Sequence, residues 1–82
     1  MSATIPVYLE IIDFIAGGTT PEAVVQFRPS LEAQRRVAEL IEREKADGLD
    51  AEEKAELDHF MELEHILIMA KARARQLLAR GQ

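Results

Sequence analysis

Between Phe60 and Ala70 the chain carries Phe60, Met61, Leu63, Ile66, Leu67, Ile68, Met69 and Ala70, inside what reads as one helix from about Ala51 to Arg80. Nearly every direction around that helix is apolar at mid-length. A helix on the surface of a monomer shows one apolar stripe, so a helix apolar on most sides needs neighbours on most sides. A chain of 82 residues has little other material to supply them. The expected remedy is self-association or a partner protein, which is also how small chains without staples often gain stability. At about 1.5 Å per residue the helix is also longer than a compact globule of this size, so it should overhang its own domain.

The remaining chain divides at its turn residues. Thr4 is a plausible N-cap for a first helix over about 5–16, with Pro6 tolerated in the first turn and Gly17-Gly18 as the stop. Thr20-Pro21-Glu22 opens a short connector helix over 21–26, which ends because Arg28 precedes Pro29. Ser30 caps a third helix over 31–46, with Ala33, Val37, Leu40, Ile41 and the stem of Glu44 as its inner stripe and Gly48 as its stop. Its pairs Glu32–Arg36, Arg35–Glu39 and Glu39–Arg43 suit i,i+4 ion pairs on the solvent side. Asp50 followed by Glu53 resembles a capping box opening the last helix. The fold expected is all-α: a short N-terminal helix, a connector helix and a long antiparallel helical hairpin, forming one domain and, by assembly, an oligomeric bundle.

Charge narrows the partner. The net charge is −5, and Glu39 to Glu64 holds eleven acids against three bases, a local balance of −8. From Lys71 onward there are four bases and no acid. A broad basic surface is absent, so a DNA-binding regulator acting through Lys71, Arg73, Arg75 and Arg80 ranks last. Cations near a helix C-terminus complement its dipole without any ligand. The acidic middle suits a basic protein surface, or simply solubility. The N-terminal stretch lacks the basic region of a secretory signal and its apolar run is broken by Glu10 and Asp13, so the expected location is the cytoplasm.

On a 100° wheel Phe60, Leu63, Leu67, Ala70, Ala74 and Leu77 form an a/d seam for the preceding helix or a second copy. Together with Ile12, Phe14 and Ile15 of the first helix they are the expected interface. Met69 falls on the otherwise polar side and is a candidate contact point. Glu64 and His59 fall among apolar neighbours: His59 is expected to be packed and hydrogen-bonded, while Glu64 either snorkels to water from the helix edge or forms a buried ion pair with Lys71, Arg35 or Arg36. Asp58, Glu62 and His65 share a polar side, and Glu62-x-x-His65 has the spacing of a di-iron carboxylate half-site. A metal site there needs further carboxylates from facing helices, with Glu10, Asp13 and Glu32 as the distant candidates, so metal binding is the weaker alternative. There is no cysteine, the serines stand only at chain or helix starts, and the Gly17-Gly18 pair has no phosphate-loop spacing. These absences argue for a non-enzymatic protein without a cofactor.

The run GLDAEEKAELDHFMELEHILIMAKARARQLL, following FIAGGTTPEAVVQFRPSLEAQRRVAELIEREK, resembles a group of small acidic bacterial helical proteins of about this length. They are common in cyanobacteria and often lie beside a gene for an HNH-type nuclease or similar enzyme. The most specific pieces are TTPE, FRPS and the stretch from Leu63 to Arg75. The resemblance implies an accessory or antitoxin-like partner protein, and it supplies no catalytic residues.

Overall fold

A computed structural model describes residues 6–81. Four helices follow one another: α1 (Leu9–Ala16), α2 (Pro21–Gln26), α3 (Leu31–Ala46) and α4 (Ala51–Ala79), with no strand among the described residues. Three of the four starts are set by chemistry within three residues. The Thr20 hydroxyl accepts from the Ala23 N–H, with Pro21 at the first helical position, and the Ser30 hydroxyl accepts from the Ala33 N–H. At the head of α4, Asp50 accepts from the Glu53 N–H at 2.8 Å while the Glu53 carboxylate accepts from the Asp50 N–H, closing a full capping box. Gly48 ends α3 with φ +88°, a left-handed conformation that a side chain would strain.

α1 begins later than expected. Thr4 and Ile5 lie outside the described residues, and Pro6 to Tyr8 form a turn in which the Leu9 N–H bonds the Pro6 carbonyl at 3.1 Å. The Val7 N–H of this turn is held by the Glu56 carboxylate of α4 at 3.1 Å. Glu10 of α1 reaches the head of α3. Its two oxygens accept the Ser30 N–H at 2.9 Å and the Ser30 hydroxyl at 2.6 Å.

The core joins Val7 and Ile11 from the N-terminal segment, Ala33 from α3 and Phe60 from α4, with Tyr8, Phe27, Val37 and Leu63 packed around them. Ile11 and Leu40 are fully buried. At the α3–α4 turn, Arg43 bridges Glu53 at 2.7 Å, and further along Arg36 bridges Glu56 at 3.1 Å. The arginines therefore reach across to α4. Only Arg36 also pairs within α3, with Glu39 at i,i+3, in place of the expected i,i+4 ladder. Glu44, assigned to the inner stripe, is exposed.

The most extensive helix–helix contact is between α2 and α4. Lys71 of α4 fastens the turn after α2 by donating to the Phe27 carbonyl at 2.6 Å, and Phe27 stacks on Phe14 with ring centroids 4.4 Å apart. The molecule measures 48 × 28 × 19 Å with a radius of gyration of 14.8 Å. A compact chain of this length would have a radius near ~12 Å. α4 sets the long dimension, as its length required.

Candidate functional site

α4 presents two unlike faces. Phe60, Leu67 and Ala74 step by seven along its inner side and are at most 5% exposed. Leu63, Ala70 and Leu77 flank them half-buried. The a/d seam is thus taken up by the chain's own helices, and Phe60, Leu67 and Ala74 are not available as an interface. Phe14 is half-buried against Phe27 and is likewise spent inside.

Three of the expected interface residues, Ile12, Ile15 and Met69, are open, and so is Ile66, which was not among them. Ile12, Ile15, Ile66 and Met69 are 38%, 50%, 51% and 53% exposed, and Met61, Ile68 and Leu31 are exposed as well. Ile66 and Met69 lie three apart on one flank of α4; Met61 and Ile68 lie seven apart on the other. Tyr8 brings α1 to the first flank: its ring meets the His59 ring edge-on, centroids 5.2 Å apart. Ile12 and Ile15 follow Tyr8 at i+4 and i+7 on the same face of α1. Scattered single apolar residues are ordinary on a protein surface. Here they gather along two helices in a molecule with few residues to spare.

Two polar expectations are corrected. No polar or charged residue among those described is buried. His59 is exposed because α1 covers it only with the edge of Tyr8, and its Nδ1 lies 3.6 Å from the Glu62 carboxylate. Glu64 is half-buried at an open cleft of about 340 Å³, which Arg28, Gln34, Ile68 and Lys71 also line. It forms no ion pair among the described residues. Lys71 is committed to the Phe27 carbonyl and Arg36 to Glu56, so two of the cations expected to reach Glu64 are engaged elsewhere.

The charged group that the fold does use internally is Glu56. Its side chain is 11% exposed and it holds Arg36 together with the Val7 N–H. The Arg36 guanidinium pKa is raised above its ordinary value, chiefly by the hydrogen bond to Glu56; burial opposes the rise, and the charge of Glu56 adds to it. Nothing local distinguishes Glu56 from the other glutamates of α4; only its place opposite Val7 and Arg36 does.

The metal alternative has no assembled site. Among the described residues no three His, Asp or Glu side chains converge to hold an ion. Asp58, Glu62 and His65 are exposed on one helix, and the carboxylates required from facing helices are elsewhere: Glu10 is bound to Ser30, and Asp13 and Glu32 are exposed. No helix of the described residues is long and apolar enough to cross a membrane. Comparison with known protein families, curated proteins and solved structures gave no match.

Proposed function

We propose that this protein is a non-enzymatic helical module that works by binding protein, as a homodimer or larger oligomeric bundle and as an accessory or antitoxin-like partner of a basic protein. The reading rests on one observation above all: Ile12, Ile15, Ile66 and Met69 stand half-open on α1 and α4 while the core behind them is complete without them. Exposing large apolar side chains costs roughly 25 cal/mol for each Å² left in water, a cost that a partner surface removes. The acidic stretch from Glu39 to Glu64 precedes Ile66 along the chain and supplies negative charge suited to a basic protein such as a nuclease or toxin. The resemblance to small proteins encoded beside nuclease genes points the same way. The α3–α4 pair supplies the long hairpin on which such a bundle is built.

Light scattering coupled to size-exclusion chromatography tests the assembly half. The expected mass is at least twice the 9.2 kDa of one chain. Co-expression with the product of an adjacent nuclease-type gene tests the partner half, with a stable complex expected that dissociates in high salt. A folded monomer that binds no such protein overturns the proposal.

A further inference from the structure

On the proposed reading, we infer that the second copy docks on α4 in an antiparallel two-fold arrangement, along the outer flank that carries Ile66 and Met69. His59, Glu62, Ile66, Met69, Arg73 and Gln76 recur along α4 at steps of 3, 4, 3, 4 and 3. All six are exposed. This is a second a/d stripe, offset by one residue from the seam that faces the core.

The stripe is its own complement. Its spacing reads the same in both directions, so a two-fold axis between Ile66 and Met69 sets each layer against a matching layer. Ile66 then meets Met69 of the second copy, Glu62 meets Arg73, and His59 meets Gln76. Apolar side chains fill the two central layers, and opposite charges close the layers on either side. A parallel pairing sets Glu62 against Glu62 and Arg73 against Arg73, which charge opposes. The wider charge agrees, because the acidic half of α4 then lies beside the basic half, Lys71 to Arg80, of the other chain. An isologous contact of this kind closes at two copies.

The opposite flank has the same spacing, with Asp58, Met61, His65, Ile68, Ala72 and Arg75 all exposed. Two features favour the Ile66–Met69 flank. Its central layers hold only large apolar side chains, whereas the other flank places His65 against Ile68. It also carries an aromatic contact with the N-terminal segment, since the Tyr8 ring meets His59 edge-on. The other flank borders the polar cleft at Arg28, Glu64 and Lys71.

Charge reversal with rescue is the test, read by sedimentation equilibrium on the full chain, with helical circular dichroism confirming that each variant is folded. Glu62→Arg and Arg73→Glu should each weaken dimerisation by about tenfold or more, since each turns two attractive pairs into two repulsive ones. The double variant Glu62→Arg/Arg73→Glu should restore it to within about threefold of the original, and Asp58→Arg should leave it within the same range. A chain that stays monomeric at about 100 µM overturns the inference. So does a dimer indifferent to Glu62→Arg, or one broken instead by Asp58→Arg, and these two results leave the protein-binding reading intact.

Discussion

Ile66 and Leu67 are adjacent in the sequence and nearly equal in apolar character, yet Ile66 is 51% exposed and Leu67 is 5% exposed. A single 100° step separates them. The same holds along the helix: Phe60, Leu67 and Ala74 belong to the face that α1, α2 and α3 cover, while Ile66 and Met69 belong to one they leave open. The difference teaches that apolar content around α4 exceeds what three shorter helices can cover. Length decides this: α1 and α2 contribute only eight and six helical residues against the twenty-nine of α4.

The largest expected effect separates the two faces directly. Phe60→Ala should destabilise the folded chain by about 3–5 kcal/mol, a large part of the stability of so small a domain, read as a fall in the urea midpoint. Met69→Ala should change the stability of the isolated chain by no more than about 0.5 kcal/mol while weakening self-association. Equal losses of stability at the two positions would mean that the outer face is covered within one chain, and the contrast would fail.

A second contrast sets Glu56 against the exposed Glu62. Glu56→Ala removes the partner of Arg36 and of the Val7 N–H together and should cost about 1–3 kcal/mol in denaturant unfolding. Glu62→Ala should cost the isolated chain nothing measurable, because the Glu62 carboxylate is 74% exposed. The sign of the Arg36 shift fixes the pH behaviour of the pair on its basic side. A base whose folded pKa is raised contributes its full stabilisation below the unfolded pKa and loses it only as pH rises through the higher folded value. Titration to pH 10 should therefore leave the Arg36 contribution in place.

Losses smaller than those at Phe60 and Glu56 belong to the helix starts. Ser30→Ala and Asp50→Ala should each lower stability by about 1 kcal/mol. Ser30→Ala should cost the more of the two, because the Ser30 hydroxyl also donates to Glu10 and so ties α1 to α3. Thermal melts of the two variants check the order, and a larger loss at Asp50 would show that the α1–α3 tie contributes little.

What was legible in the sequence was local. The bounds of α2, the caps at Thr20, Ser30 and Asp50, and the stop at Gly48 depend on side chains and backbone within a few residues of one another. What was misread required knowing which helix lies opposite. The turn before α1 is held by Glu56 of α4, which takes the Val7 N–H from 49 residues away. Arg36 left the expected i,i+4 ladder because Glu56 faces it from α4. Among the described residues His59 stays open with the edge of Tyr8 against it, and Glu64 stays unpaired because Lys71 is spent on the Phe27 carbonyl. The outer stripe from His59 to Gln76 was present in the spacing, but the inner seam has the same spacing one residue away, and only burial tells them apart.

By itself the sequence determined four helices, their order, and an apolar excess on the last one. Those follow from capping chemistry, turn residues and a 3.6-residue period, all of which act within a segment. The tertiary structure alone decided which part of the excess is satisfied at home. Burial is set by what stands opposite a side chain, and here Phe60, Leu67 and Ala74 have neighbours while Ile66 and Met69 have water.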